Sequence, residues 1–340
     1  QIICDTVKDW TSAASNGQQS YAKIRNKLTN ESIVTDTCGL STVKDPAVAD
    51  KIVGGNEASR GQFPYQVLLR MRRRDNRVMI CGGSILNERW ILTAAHCVTN
   101  ERTGDPYVVA VEVTAGAVRK TDNGSDVQRV SADCVVANEK WIGLKGGFAN
   151  DLALVRLPTG TTSSTSTATT TTTPTANTNL TATPLTLTHR SGGIVNGVCL
   201  PLRGRSGRPY EYVGKARISG WGVTERGKSS PMLKFTDVGL IGDDRCRAAN
   251  HLPFPIVESM LCQGADRTSP CFGDSGGPLV VRVRGRYTQI GVVSTGPSQC
   301  ANPNDPNGVY TQVSHFLNWI ENTVSRNSHD KCFGFRLKQF

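Results

Sequence analysis

The chain has 340 residues, of which 38% are hydrophobic, and it contains 34 Gly, 16 Pro and 11 Cys. This composition is typical of a loop-rich β protein and disfavours a helical bundle. The formal net charge of +11 is scattered apart from the run RMRRRDNR at 70–77, which lacks the interleaved aromatic residues of a base-stacking surface. We therefore expect no specific nucleic acid among the partners.

Cysteine usage and hydropathy indicate the compartment. The cysteines form neither CxxC pairs nor Cys/His clusters, which disfavours zinc and favours a disulfide-bonded, secreted, extracellular protein in a processed mature form. No run of about twenty apolar residues is present, so we expect no membrane span. Three N-glycosylation sequons agree with a secretory route to a glycoprotein, at Asn30, Asn123 and Asn179.

The first segment, 1–51, is polar and carries only Cys4 and Cys38. It shows no core of its own, and we interpret it as a propeptide. The stretch DKIVGGNEAS at 50–59 then places a basic residue before two β-branched residues and two glycines. The bond Lys51–Ile52 is therefore a candidate cleavage site.

From Ile52 onward, short apolar runs alternate with Gly- and Asn-rich turns. Many short strands at this spacing favour β-barrels or β-sandwiches. Only SHFLNWIENTV at 314–324 has helical spacing, with one shared face formed by Phe316, Trp319, Ile320 and Val324. The strands are predicted in YQVLLRM, RWILTAA, YVVAVEVTAG, DLALVRL, KARISGW, LKFTDVGLI, GPLVVRV, YTQIGVVS and GVYTQV.

A threonine-rich insertion, 159–190, interrupts the strands. Its first 30 residues, 159–188, include 16 Thr. Such a tract cannot bury a core. It is either a solvated loop carrying O-linked sugars or an unmodified disordered insertion, and the sequence leaves both open.

Three motifs carry candidate chemistry. TAAHC at 93–97 contains His96, NDLALVRL at 150–157 contains Asp151, and CFGDSGGPLV at 271–280 contains Ser275. Each motif alone has an ordinary structural explanation: a core histidine, a turn-capping aspartate and a glycine turn. Together, and in this order, they are specific.

With IVGG beginning at Ile52, SGWG at 219–222 and GVYTQV at 308–313, the sequence resembles the chymotrypsin/trypsin family of serine proteases. The resemblance extends from about Ile52 to Ser325. It implies an all-β fold of two packed six-stranded antiparallel β-barrels, with the active site between them and a C-terminal helix. It also implies that 52–340 is the catalytic domain of a secreted serine endopeptidase that needs no cofactor.

The resemblance assigns the roles. Ser275 would attack the scissile carbonyl, His96 would accept and return its proton, and Asp151 would orient His96 and stabilise the imidazolium. The backbone N–H groups of Gly273 and Ser275 would form the oxyanion hole. A histidine base is needed because a serine hydroxyl is a poor nucleophile at neutral pH.

The same resemblance gives the cut site a meaning. Cleavage would free an ammonium on Ile52, which would insert and pair with Asp274, since a buried carboxylate without a partner is costly. With Lys51–Ile52 intact, we expect an inactive zymogen. The expected partners are protein substrates, an activating trypsin-like protease and serpin-type inhibitors.

Disulfide pairs follow by matching family positions. Four pairs are implied directly: Cys81–Cys97, Cys246–Cys262, Cys271–Cys300, and Cys38–Cys199, which would hold the propeptide after cleavage. Outside that pattern are Cys4, Cys134 and Cys332. Because the C-terminal helix of this family packs near the strand that holds Cys134, we favour Cys134–Cys332, which leaves Cys4 over.

Substrate preference depends on the specificity pocket. Ser269 stands where trypsin-like members carry an aspartate, and the wall positions Gly296 and Gly308 are small, as is Ser294 on the substrate-pairing strand. This favours cleavage after large apolar residues. Two departures from the family weaken the inference: Thr295 replaces a usual Trp, and Pro270 follows Ser269.

Two alternatives remain open. A trypsin-like clotting or immune protease would cut after Arg or Lys if Asp266 or Asp305 supplied the missing acid. A non-catalytic binding or adhesion protein would instead use the basic, sugar-bearing surface. We expect no metal site, because AGAVRKTDNGSD lacks early acidic residues where calcium-binding members carry them.

Overall fold

The computed structural model describes residues 25, 27, 32–43, 55–160, 183–188, 193–203, 212–224, 227–248, 252–264, 268–296, 300, 308–327 and 331–340. Within these ranges, fifteen antiparallel strands form two sheets. No helix of the described residues is long and apolar enough to cross a membrane. The predicted sites at Asn30, Lys51, Ile52, Asn179, Asp266 and Asp305, and also Cys4, lie outside the described residues.

The first sheet has eight strands, in the order β15-β7-β8-β4-β3-β2-β5-β6. Their bounds are β2 Gln66–Arg73, β3 Val78–Ile85, β4 Trp90–Thr93, β5 Val108–Ala115, β6 Gln128–Ser131, β7 Cys134–Ala137, β8 Ala153–Arg156 and β15 Phe335–Arg336. Only Ala132 and Asp133 separate β6 from β7, so the two are one bent strand that closes the sheet. This gives the expected six-stranded barrel, with short β15 added at β7.

The second sheet has seven strands, in the order β1-β10-β11-β14-β13-β12-β9. Their bounds are β1 Asn56–Glu57, β9 Gly214–Gly220, β10 Lys234–Ile241, β11 Met260–Gln263, β12 Pro278–Val283, β13 Arg286–Thr295 and β14 Val309–Gln312. Because β9 also pairs with β10, six strands close into a barrel and β1 is an addition at its edge. The two-barrel prediction is confirmed.

The α-helices of the described part of the chain are short: α1 Ala95–Val98, α2 Asp243–Ala248 and α3 Leu317–Arg326. The predicted C-terminal helix is α3, and a 3-10 turn over Val313–Phe316 precedes it. Of the predicted face, Phe316, Ile320 and Val324 are buried and Trp319 is partly buried, and Leu317 joins them. These apolar residues dock α3 on the core, which gives a ten-residue helix the tertiary support that it needs.

The barrels meet at two glycines. A Cβ added to Gly82 of β3 would lie 2.9 Å from the Cα of Gly277, just before β12. Their backbones approach this closely only because neither residue has a side chain. This contact between the barrels lies beside the turn that carries Ser275, one of the candidate active-site residues.

The segment 32–43 is packed into the body of the protein. Ile33 and Val34 are each 1% exposed. Cys38 is bonded to Cys199, and the Gly39 carbonyl accepts a hydrogen bond from Tyr287 N–H at 2.8 Å. This part of the proposed propeptide is therefore held covalently and by burial.

The last ten residues, 331–340, form a C-terminal strap across the first barrel. Cys332 is bonded to Cys134, and Phe335 pairs with Val135. Under the strap lies Arg156, which is 2% exposed. Its guanidinium donates to both carboxylate oxygens of Asp133, at 2.9 and 2.8 Å, and to the carbonyls of Asn327 and Lys331, at 2.7 and 2.6 Å. This buried charge therefore has a carboxylate partner and four hydrogen bonds, the condition under which a buried arginine is tolerated.

Candidate active site

Strand pairing brings His96 and Asp151 together. β4 runs into α1, which carries His96, and β4 pairs with β8 so that Thr93 lies opposite Ala153. Asp151 stands two residues before β8 and is completely buried. Its Oδ1 accepts the His96 backbone N–H at 2.9 Å, and its Oδ2 lies 2.7 Å from His96 Nδ1. The carboxylate thus fixes the ring and requires the proton on Nδ1, which leaves Nε2 able to act as a base.

The second barrel also holds Asp151. Ser294 Oγ donates to Asp151 Oδ2 at 2.6 Å, and Thr311 Oγ1 donates to the Asp151 carbonyl at 2.8 Å. Both donors are buried. The sequence predicts Ser294 only for the specificity pocket and does not single out Thr311. The available signal for Thr311 was its place in the GVYTQV motif.

The environment changes the proton affinity of His96. Burial of the ring lowers the pKa, but the charge of Asp151, its hydrogen bond and the charge of Glu101 together outweigh burial, so the pKa is raised above 6.5. A neighbouring carboxylate that favours imidazolium makes the ring a stronger base.

An aromatic wall covers one side of His96. The Phe148 ring meets it edge-on at 6.1 Å between centroids, and Trp141 and Phe254 pack against Phe148 at 5.7 and 5.6 Å. Phe148 has a backbone φ of 60°, which is uncommon for a bulky residue. The sequence does not predict this wall, because Phe254 is more than 100 residues from Trp141 and Phe148 in the chain.

Ser275 lies in a tight turn at the contact between the barrels. Its carbonyl accepts Gly82 N–H at 2.8 Å, and Gly276 N–H donates to the carbonyl of Val293 at 2.8 Å. A Cβ on Gly276 would collide with Thr93 Oγ1, three residues before His96. The turn therefore brings the candidate nucleophile to the end of β4, where α1 presents the histidine.

The glycine before Asp274 shapes this turn. Gly273 has a φ of 98°, a conformation that side-chain-bearing residues rarely adopt. A Cβ there would lie 3.3 Å from the Cα of Gly222. The turn is thus packed against the SGWG motif of the second barrel.

Asp274 points into a space left by two glycines. Its Oδ1 accepts Gly222 N–H at 2.8 Å and its Oδ2 accepts Cys271 N–H at 3.0 Å. A Cβ on Gly220 or on Gly222 would collide with the carboxylate. Burial raises the pKa of Asp274 to about 6, although both N–H donors and the charge of Lys120 act in the opposite direction.

The predicted pocket residues lie on neighbouring segments. Ser269 is half-buried in the segment before Cys271. Ser294 lies near the end of β13, Gly296 follows that strand, and Gly308 precedes β14. A Cβ on Gly308 would lie 3.0 Å from Gln263 Oε1 and 3.4 Å from both Pro270 Cδ and Tyr310 Oη. Gln263, which the sequence does not single out, therefore packs closely against the backbone of Gly308.

The described cysteines form five disulfides, and they are the pairs that the resemblance and the position of Cys134 favour: Cys38–Cys199, Cys81–Cys97, Cys134–Cys332, Cys246–Cys262 and Cys271–Cys300. The sulfurs of Cys81 and Cys97 lie within 4.8 Å of a His96 ring nitrogen. Because they are joined to each other, neither is a thiolate that could bind a metal. Among the sequons, Asn123 is exposed in the loop between β5 and β6.

The comparison with family models identifies the protein class. The model described as Trypsin matches residues 52–320. This chain belongs to the trypsin family of serine proteases. The match begins at Ile52, and it includes the His96, Asp151 and Ser275 motifs.

Relatives of this trypsin-family protease have diverse names. Chymotrypsin-like elastase family member 1 from Homo sapiens is 29% identical over 293 residues, which cover 85% of this chain and 98% of the relative. U21-ctenitoxin-Pn1a from Phoneutria nigriventer is 31% identical over 282 residues, covering 81% and 100%. A solved structure described as HL collagenase superposes with a TM-score of 0.61 at 28% identity, covering 80% of this chain and 98% of that one.

Proposed function

We propose that this protease is a secreted serine endopeptidase in which Ser275 is the nucleophile, His96 the general base and acid, and Asp151 the residue that orients His96. The observation that carries the proposal is the buried chain of hydrogen bonds from Ser294 through Asp151 to His96 Nδ1, at 2.6 and 2.7 Å. It stands beside the turn of Ser275. A base held in one tautomer next to a serine is the arrangement that nucleophilic acyl transfer requires.

The oxyanion hole follows from the same turn. The backbone N–H groups of Gly273 and Ser275 would stabilise the negative charge that develops on the carbonyl oxygen. Donors aimed at developing charge contribute about 3–4 kcal/mol each in comparable sites. The left-handed backbone at Gly273 is one that glycine adopts readily, and the absence of a side chain there leaves the amide unobstructed.

Activation is proposed to occur by cleavage at Lys51–Ile52. The carboxylate of Asp274 has two backbone donors and a raised pKa, so an ammonium arriving beside it would gain a strong electrostatic interaction. Packing of 32–43 and the Cys38–Cys199 bond would keep the propeptide attached. The disulfides favour an extracellular location.

Cleavage after large apolar residues is the proposed specificity. Ser269 carries no charge, and Gly296 and Gly308 add no side chains to the pocket wall. A pocket without an acid would not bind the lysine of its own activation site well. The chain would therefore need an upstream trypsin-like protease and would not activate itself efficiently. Serpin-type proteins are candidate inhibitors.

A trace of trypsin followed by a trypsin inhibitor tests the proposal. The cleaved chain is assayed on matched peptides ending in Phe, Leu, Val or Arg, with Ser275→Ala as the matched control. We expect activity only after cleavage, with Phe or Leu preferred, and none in the control. Preference for Arg would overturn the specificity and the argument about self-activation. Rapid self-cleavage at Lys51 by pure uncleaved chain would also contradict that argument.

A non-catalytic binding role is the second candidate. One relative is named as a toxin, which motivates it. Covalent labelling of Ser275 by a fluorophosphonate separates the two, since the probe reacts only with an activated serine. A chain with a clean Ile52 terminus that is not labelled would favour the binding role.

A further inference from the structure

The run RMRRRDNR at 70–77 takes no part in the candidate active site, and the structure places it in a larger basic surface. It covers the end of β2 and the turn that leads into β3. The C-terminal strap reaches the same place, because Lys338 N–H donates to the carbonyl of Val109, which lies between the β5 residues that pair with the last two residues of β2. We call the six cations on these segments the cationic surface: Arg70, Arg72, Arg73, Arg74, Arg77 and Lys338.

Aromatic rings hold three of these arginines in place. The guanidinium carbons of Arg70 and Arg72 lie 5.0 and 5.6 Å from the centroid of the Phe340 ring, at the end of the strap. The guanidinium carbon of Arg73 lies 4.2 Å from the centroid of the Tyr107 ring. Because stacking positions these long side chains before a ligand arrives, binding costs less side-chain entropy than it would with mobile arginines.

The cations of this surface outnumber the carboxylates that pair with them. Asp75 lies 3.9 Å from the Nε atoms of both Arg73 and Arg77. Glu112 is paired with Arg70 at 3.2 Å. Within the described residues, these two carboxylates are the ones that form ion pairs with the six cations, and the Arg77 side chain is 81% exposed. A surface with this excess of positive charge attracts polyanions.

The other residues of the surface favour one class of polyanion. Single-stranded nucleic acid stacks its bases on exposed rings, whereas Tyr107 and Phe340 are already covered by arginines. Stable membrane anchoring needs apolar groups in addition to charge, and Val78 is the one exposed large apolar side chain of 70–80. What the surface offers is guanidinium groups, whose paired N–H donors suit oxyanions. A linear polysaccharide that carries sulfate groups matches this chemistry.

We propose that the cationic surface binds linear sulfated polysaccharides. Val78, at the edge of the surface, begins β3, and Gly82 of the same strand donates to the carbonyl of Ser275. Four residues of extended strand place the two about 13 Å apart. A bound polysaccharide would therefore hold the protein on a sulfated matrix and leave the candidate active site open.

The test measures binding of the full, uncleaved Ser275→Ala chain to immobilised heparin. The excess of positive charge corresponds to about four ion contacts, so the Kd should rise about 100-fold between about 50 and 200 mM NaCl. Heparin from which the sulfates have been removed should bind at least about tenfold more weakly. This comparison needs no variant of the surface, and it does not depend on the proposed function, because no catalysis is measured.

A double variant locates the binding site. Arg74→Gln with Arg77→Gln removes two exposed charges from the turn, and we expect heparin binding to weaken about 10- to 30-fold. The slope of log Kd against log salt should fall by about two. Arg245→Gln with Arg247→Gln, on α2 beside the second barrel, is the matched control, because it removes the same charge from two exposed arginines. The control should bind as the parent chain does.

Four results would overturn the inference. Absence of heparin binding at low salt would refute the surface as a polyanion site, and equal binding of desulfated heparin would refute the role of sulfate. Equal weakening by the two double variants would show that net charge alone, without this surface, governs binding. Binding of a short DNA duplex or of phosphatidylserine vesicles as tightly as heparin would refute the assigned class of partner.

Discussion

Asp274 should destabilise the uncleaved chain at neutral pH, and replacing it by asparagine tests this. Its carboxyl is held in the space left by Gly220 and Gly222, where burial raises the pKa from 3.8 to about 6. Because the folded chain then holds the proton more tightly than the unfolded chain, stability is lost as the pH rises from about 4 through 6.

The magnitude follows from the pKa. At about 1.36 kcal/mol per pKa unit, a rise from 3.8 to about 6 costs about 3 kcal/mol once the carboxyl is ionised. An asparagine at this position would be neutral at every pH, but its amide has one acceptor oxygen in place of two. The variant would therefore lose one hydrogen bond, from Gly222 or Cys271, at a cost of about 1–2 kcal/mol.

Urea unfolding of the uncleaved chain measures the effect. Asp274→Asn should be less stable than wild type at pH 4 by the lost hydrogen bond, and more stable at pH 8 by about 1–2 kcal/mol. Asp244→Asn is the control, because that side chain is 99% exposed and burial plays no part. A difference between Asp274→Asn and wild type that is the same at pH 4 and pH 8 would refute the reasoning.

The cleaved chain should respond in the opposite direction. If the ammonium of Ile52 pairs with Asp274, the carboxylate becomes stabilising, and Asp274→Asn removes one partner of a buried ion pair at a cost of about 3–5 kcal/mol. Activity should fall with it. A cleaved Asp274→Asn chain with full activity would show that the ion pair does not order the turn of Ser275.

Three further outcomes follow from the site and the strap. Ser294→Ala removes the 2.6 Å hydrogen bond to Asp151, so kcat should fall about 10- to 100-fold with KM little changed. An unchanged kcat would contradict the role of Ser294 in positioning Asp151. Since the pKa of His96 is raised, kcat/KM should fall as the pH drops, with a midpoint above 6.5. Asp151→Asn should lower that midpoint and reduce kcat by about 10⁴-fold. A midpoint that is unchanged in Asp151→Asn would contradict the pairing of His96 with Asp151. Replacing both Cys134 and Cys332 by serine opens a loop of 198 residues. By the chain-entropy model, the free energy of unfolding, measured with urea, should fall by about 5 kcal/mol. A fall of less than about 1 kcal/mol would mean that the strap is held without the disulfide.

Residue patterns predict much of this fold. The predicted apolar runs YQVLLRM, YVVAVEVTAG, DLALVRL, GPLVVRV and YTQIGVVS correspond to the barrel strands β2, β5, β8, β12 and β13, because each is a short run rich in buried β-branched and aliphatic residues. β3 is different: its centre carries Gly82 and Gly83, and it packs at the contact between the barrels. The two glycines interrupt the apolar run in β3, so the sequence shows no strand pattern there.

The candidate site was predictable only in part, for a similar reason. His96, Asp151 and Ser275 stand in recognisable motifs, whereas Thr311 and Phe148 are ordinary residue types. Their significance comes from contacts across the barrels, such as the 2.8 Å bond from Thr311 to Asp151. Spacing along one chain does not encode such contacts, so these residues needed the three-dimensional arrangement.

The disulfide of the C-terminal strap has a consequence for how the chain responds to proteolytic cuts. The Cys134–Cys332 bond spans the threonine-rich insertion and most of the second barrel, and the Cys38–Cys199 bond spans the Lys51–Ile52 bond. A chain cut at Lys51 and again between 159 and 190 therefore stays one covalent molecule. Each cut would add only the mass of one water, and the fragments would separate on a gel only after the disulfides were reduced.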